Sequence, residues 1–154
     1  MGRVRRAAGT QTFTDLLRHP GRLAAQFTGS AGGRAEADVR ALHAGEAREV
    51  TAFLRDGERF RQGSLVLDPV AAPPVVWRPF RVFGRAGEGV ALVAPFHVHG
   101  VGPVTGPGSR AIDRRMFRLL SLRAADRPWE LAVPVVDVPL VRAALARAGS
   151  GAGR

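Results

Sequence analysis

Two groups of side chains in this sequence carry enough chemistry to name. His97 and His99 flank Val98. On a strand, residues i and i+2 point to one face, so both imidazoles could approach a single metal ion or anion. A zinc site needs at least one further protein ligand, and none is adjacent in sequence; Asp113 and Glu88 are acids that only the fold could bring close. The second group is the arginine run Arg110, Arg114, Arg115, Arg118, Arg123 and Arg127, interrupted by Met116 and Phe117. The planar guanidinium fork matches phosphate and carboxylate oxygens, so such a run suits anionic lipid headgroups or a nucleic-acid backbone equally. Strand alternation sends Arg118 to the face of Met116 and Leu120, and Arg123 to the face of Phe117. The run is therefore not one stripe, and Arg110, Arg114 and Arg115, on a loop that joins strands, are the ligand- or anion-binding candidates.

Composition removes other chemistry. The chain has 154 residues; all 23 of its basic residues are Arg, and it contains no Lys, Cys or Tyr. Without Lys there is no Walker A phosphate loop and no lysine Schiff base; without Cys there are no disulfides, thiol nucleophiles or cysteine-held zinc. Neither G-x-S-x-G nor H-E-x-x-H occurs, and Ser64, Ser109 and Ser121 lack an activating context. The glycines from Gly100 to Gly106 have the wrong spacing for a dinucleotide loop, and Pro103 and Pro107 remove donors that would face phosphate. No catalytic residue and no cofactor are expected. The formal charge of +10 reads as GC-rich coding more than as a phosphate signal, and at 6% aromatics the chain lacks the stacking platform of single-strand binders. Its placement is uneven. Residues 1–34 carry six Arg and one acid, residues 109–154 nine Arg and four acids, and residues 35–108 eight of each.

The elements that must position these groups follow from periodicity. Residues 12–27 predict two short helical pieces broken at Pro20-Gly21, and residues 29–33 a Gly-rich linker. Residues 35–55 predict helix, with Val39 and Leu42 and then Ala47, Val50 and Leu54 at helical spacing; Gly45 divides it and Gly57 caps it. The period then changes to two. Residues 62–68 and 75–83 predict strands joined by the Pro-rich turn 69–74. Residues 89–101 supply further strand, and residues 116–123 and 129–133 a hairpin. Trp129, Leu131 and Val133 share one face, and both Trp77 and Trp129 read as core anchors. The chain closes with an amphipathic helix: Asp137 as N-cap, Pro139 in the first turn, a stripe of Leu140, Val141, Ala144 and Leu145, and Gly149 past its end. A secretory signal is not expected, because Asp15, Arg18 and Arg22 interrupt the stretch after the basic Arg3, Arg5 and Arg6. The uncharged run 89–109 is too rich in Gly and Pro for a membrane helix. The expected location is the cytoplasm, with peripheral membrane contact left open.

The stretches GEAREVTAFLRDGERFRQGSLVLDP, VVWRPF and WELAVPVVDVPLVRAALA resemble a group of uncharacterised actinobacterial proteins with a pleckstrin-homology-like (PH-like) β-rich domain, over about residues 45–147. The segment TQTFTDLLRHPGRLAAQF, residues 10–27, is similar to the start of some actinobacterial antitoxins. The first resemblance implies an α+β fold in which a helical N-terminal extension sits on an antiparallel β-sandwich or half-barrel, closed by the C-terminal amphipathic helix. The organisation is then a basic extension over 1–34, partly helical or disordered, a β-rich domain over 35–148 and a disordered tail over 149–154. The expected function is a non-enzymatic interaction module that binds protein or anionic lipid through Arg110, Arg114 and Arg115. The alternative is an antitoxin-like nucleic-acid binder using the Arg-rich ends, Arg3, Arg5 and Arg6 with Arg114 and Arg115. A third is a metal-dependent enzyme centred on His97 and His99.

Overall fold

The computed structural model describes residues 4–10, 30–80 and 88–151. In chain order these form β1 (Arg5–Arg6), α1 (Ser30–His43), β2 (Arg48–Asp56), β3 (Arg59–Leu67), β4 (Val75–Pro79), β5 (Val90–Ala91), β6 (His97–Gly102), β7 (Phe117–Arg123), β8 (Pro128–Pro134) and α2 (Val138–Gly151), with single 3-10 turns at Ser109–Ala111 and Val135–Asp137. The fold is α+β. One sheet runs in the order β5-β4-β3-β2-β8-β7-β6 with every pair on this path antiparallel, and β1 adds to β2 in parallel. The expected helix over 12–27 and Arg3 lie outside the described residues.

α1 starts at Ser30, so Ser30, Ala31, Gly32 and Gly33 belong to a helix and not to the expected linker. It ends where Gly45 adopts φ +94. There the Glu46 N–H donates to Ala41 O at 2.9 Å and the Gly45 N–H to Leu42 O at 3.0 Å, the paired bonds of a Schellman cap. Beyond it the expected second helix is absent: Arg48–Asp56 is the central strand of the sheet. Ala47, Val50 and Leu54 looked helical because a strand covered on both faces shows no alternation to betray it. Val50, Ala52 and Leu54 face one core, while Thr51 and Phe53 face the other side. Gly57 is accordingly no helix cap. Asp56 pairs with Arg59 across a two-residue loop, and Gly57, at φ +62 in its first position, has the backbone of a type II′ hairpin turn.

Of the other expected strands, 62–68 and the 116–123/129–133 hairpin are present with ends moved by a few residues. The strand expected over 75–83 is seen as β4, and 81–83 lie outside the described residues. The strand expected over 89–101 is two strands at opposite edges of the sheet, β5 and β6. That split shapes the molecule. Seven strands laid flat would separate the two edges by about 29 Å, whereas the link from Ala91 to His97 can span about 21 Å at most. The sheet must curl. The link is pinned on the way, Leu92 N–H to Val75 O at 2.9 Å and Ala125 N–H to Val93 O at 2.8 Å, which leaves a half-barrel.

The concave face holds the main core: Val50, Leu65, Leu67, Val75, Trp77, Leu120, Leu122, Trp129, Leu131 and Val133 from the strands, against Leu42 of α1 and Leu140, Val141 and Leu145 of α2. α2 continues through Gly149 to Gly151, past its expected stop, because Ala148 still packs on this core. On the convex face Val104, Ile112, Phe117, Leu119 and Ala132 form a second, smaller core with Phe53, Phe60 and Met116. It lies beneath the 103–116 loop.

Trp77 reaches its place only because Gly63 has no side chain. A Cβ there would stand 2.3 Å from Arg78 O on the neighbouring strand and 2.8 Å from the indole ring. Gly63→Ala should therefore destabilise the protein by about 2–3 kcal/mol with an unchanged denaturant slope, measured by urea unfolding.

Candidate functional site

The loop between β6 and β7 carries the three candidate arginines, and its position is set from below by an arginine that the sequence did not single out. Arg55 of β2 donates from Nη1 to Pro107 O at 2.6 Å and from Nη2 to Thr105 O, stacks 4.4 Å from the Phe60 ring centre, and pairs with Glu130 Oε2 through Nε. The Nε contact is an ion pair without the alignment of a hydrogen bond. All faces of one guanidinium are thus spent on fastening loop to sheet. Val104 and Ile112 plug into the convex core, and Gly108 at φ +74 lets the chain pass against Glu58 and Arg59 without a side chain between them.

Held this way, the loop presents Arg110, Arg114 and Arg115 exposed at its surface. Among the described residues the side chains of Arg110 and Arg115 form no hydrogen bond or ion pair, and Arg114 makes only a long contact to Ser109 Oγ at 3.5 Å. Arg118, also in the run, is engaged: its Nη1 donates to Arg114 O at 2.7 Å and to Phe117 O at 3.2 Å, which braces the loop's exit. Asp113 is the one acid among residues 109–118. Its Oδ1 accepts the Arg115 N–H at 2.8 Å, and its carbonyl accepts the N–H groups of Met116 and Phe117, both at 3.1 Å. It organises the turn while leaving the cations in excess.

Among the described residues, the arginines Arg5 and Arg6 of the first basic end do not converge on this loop. Arg5 and Arg6 are exposed beside Arg48 and Glu49, at the start of β2, whereas the turn carrying Arg110 packs beside β3 near Glu58 and Arg59, at the other end of that hairpin. The length of β2 between them is about 26 Å.

The histidine pair lies on β6, both side chains exposed on either side of Val98, which packs against the main core. His97 pairs with Arg123 and Gly100 with Ser121, with a bulge between Val98 and Gly100 that takes His99 out of register. The bulge interrupts the regular pairing on which the i, i+2 reading is based. Both imidazoles are exposed. Among the described residues no group of three His, Asp or Glu is placed to hold a metal, so neither Asp113 nor Glu88 completes the pair.

Two apolar grooves flank the helices, one of about 470 Å³ along Leu42, Ala94, Ala144 and Ala148, the other of about 560 Å³ along Val39, Val135 and Pro139. Their charged walls are already engaged. Arg147 donates to His43 O at 3.0 Å, Asp68 Oδ1 accepts the Val70 N–H at 3.1 Å, and Arg40 stands 3.9 Å from Glu36. Neither gathers the convergent polar groups that orient a small ligand.

A third cluster centres on the buried Arg48 and Asp137, and only one of its members was noticed in sequence. Arg48 of β2 donates from Nε to Asp38 Oδ1 at 2.9 Å, from Nη2 to Glu46 Oε2 at 3.1 Å and from Nη1 to Ala47 O at 3.0 Å. Beside it Asp137 is completely buried. It stands directly before α2, where an N-cap belongs, yet its Oδ1 accepts the Gly9 N–H at 3.0 Å, from the far end of the chain. Burial is the main cause that pushes this carboxyl up to about 6, with the charge of Asp38 adding to it; the Gly9 and Thr10 backbone groups act the other way. A lone acid inside PVVDVP was the available signal, since a charge carried into the core by an apolar run must be hydrogen-bonded, paired or neutralised.

Comparison with known proteins adds no relative: no protein-family model, no curated protein and no solved structure matches the chain. Among the described residues no helix is long and apolar enough to cross a membrane.

Arg55→Ala should cost about 2 kcal/mol of stability in urea unfolding and open residues 103–113 to proteolysis before the sheet unfolds. Arg55→Lys should not restore protection, because an ammonium cannot reach three carbonyl and carboxylate partners in one plane.

Proposed function

We propose that the protein is a non-catalytic binding module that engages an anionic partner, an acidic protein surface or phospholipid headgroups, through Arg110, Arg114 and Arg115. One observation carries the reading: three exposed arginines stand within six residues on a loop that Arg55 and the convex core hold in place, and two of them have no polar partner among the described residues. A fastened loop loses little further freedom on binding, so the charge it presents is converted into affinity rather than into ordering. The resemblance to PH-like proteins favours the same reading, since seven antiparallel strands followed by a C-terminal helix is the element order that it implies. The nucleic-acid alternative draws on Arg3, Arg5 and Arg6 together with Arg114 and Arg115, and is less favoured because, among the described residues, Arg5 and Arg6 flank the opposite end of β2 from the loop that carries Arg110. The third reading, a metal-dependent enzyme at His97 and His99, lacks a third ligand among the described residues.

Sedimentation with vesicles containing phosphatidylserine, against vesicles of phosphatidylcholine alone, tests the lipid arm, and titration with a poly-glutamate peptide tests the protein arm. Replacing Arg110, Arg114 and Arg115 by Gln should weaken whichever binding is seen by about a hundredfold, at about 1 kcal/mol for each basic residue near an anionic surface. Undiminished binding by the triple variant would remove these residues from the site. Tighter binding to duplex DNA than to either probe, with affinity falling steeply as salt rises, would transfer the assignment to nucleic acid.

A further inference from the structure

Residues 7–10, of which Ala8, Gly9 and Thr10 are helical, form a strap fastened to three other elements. The Ala7 N–H donates to Glu49 O of β2 at 2.8 Å, the Ala8 N–H to Asp38 Oδ2 of α1 at 2.9 Å, and the Gly9 N–H to Asp137 Oδ1, before α2, at 3.0 Å. Thr10 Oγ1 then accepts the Thr51 N–H at 2.6 Å. All four strap residues are buried. Gly9 is required by contact: a Cβ there would stand 2.5 Å from both Asp137 Oδ2 and Pro134 Cβ.

The two carboxylates that hold the strap differ in their surroundings. Asp38 has the Arg48 guanidinium at 2.9 Å. Asp137 has no ion pair among the described residues, and its Oδ2 makes no hydrogen bond there. The groups around it can be taken element by element. α1 contributes Asp38, a like charge, and β2 contributes Arg48, which is committed to Asp38, Glu46 and Ala47 O. The strap offers main-chain N–H groups, its Arg5 and Arg6 being exposed. The one acid of β8, Glu130, is paired with Arg55, and the first turn of α2 holds no acid. A carboxylate in this setting is desolvated, and the backbone N–H groups of Gly9 and Thr10 offset that cost only in part.

We propose that the strap is a pH-operated latch, held most firmly when the Asp137 carboxyl is protonated and loosened as it ionises. With the strap closed the carboxyl titrates at about 6, against 3.8 for the solvated group. The folded value is the higher one, so the closed form is favoured fully below about pH 4, loses that advantage as pH rises, and has lost it above about pH 6. Between pH 5 and pH 7.5 the opening equilibrium should rise about tenfold. Opening would free Glu49 C=O and Thr51 N–H, a length of β2 edge that an extended segment could pair with.

Amide exchange of the full chain followed by NMR, corrected for intrinsic rates, tests this. Gly9 should be less protected than Ala52 of the core at every pH, and its protection should fall about tenfold from pH 5 to pH 7.5. In Asp137→Asn, whose amide oxygen can still accept the Gly9 N–H, the fall should vanish. Gly9 protection equal to that of Ala52, no fall in the wild-type protein, or the same fall in the variant would each overturn the latch. Should the variant not fold, the carboxyl-carbon titration of Asp137 in the wild-type protein decides: a midpoint near 6 sustains the proposal, and one below about 4.5 ends it.

Discussion

Strand Arg48–Asp56 has two edges and two faces to satisfy, and most of the architecture is the consequence. β3 pairs with one edge along all nine residues. The other edge is shared: β1 takes Arg48 and Glu49, and β8 takes Phe53 and Leu54. Because β8 turns away into α2 after Pro134, the start of β2 would stand unpaired without the N-terminal strap, which is why residues so near the chain start are buried. The faces are covered by different means, the concave one by both helices and the convex one by the 103–116 loop.

Arginine is the only basic residue available, and the fold uses it in distinct ways. Arg48 and Arg55 sit on β2 with their forks filled, one joining strand to helix, the other strand to loop. Arg61 and Arg127 lie over Trp77 and Trp129, at 5.6 and 4.1 Å from the ring centres, and shield the ends of the two core indoles. Arg110, Arg114 and Arg115 keep most of their hydrogen-bonding capacity for solvent or a partner. Counting charge along the chain cannot separate these uses, since a guanidinium in a filled fork and one in water contribute the same +1.

Where large apolar residues alternate with smaller or polar ones, the pattern was legible even in a strand covered on both faces. Trp129, Leu131 and Val133 fall on one face as their spacing implied, and the stripe of Leu140, Val141, Ala144 and Leu145 on α2 is buried as a stripe should be. The central strand was not legible, because burial on both faces replaces alternation with a run that helical spacing fits by coincidence. The irregularity at the histidine pair was hidden for a related reason. A single bulge shifts every following side chain, and nothing in HVHGVG but its glycines marks where the register slips.

Local order therefore lay within reach of the residues alone: the α+β class, the terminal helix, the β7–β8 hairpin, the excluded chemistries and a loop with three arginines. These depend on periodicity and residue type, which neighbouring positions determine. Tertiary structure decided which arginines are engaged, that the sheet curls because β5 and β6 lie at its opposite edges, and that Asp137 meets Gly9 from 128 positions away. Those outcomes depend on what long-range pairing brings against a side chain, and desolvation and hydrogen-bond supply are set there rather than by sequence neighbours.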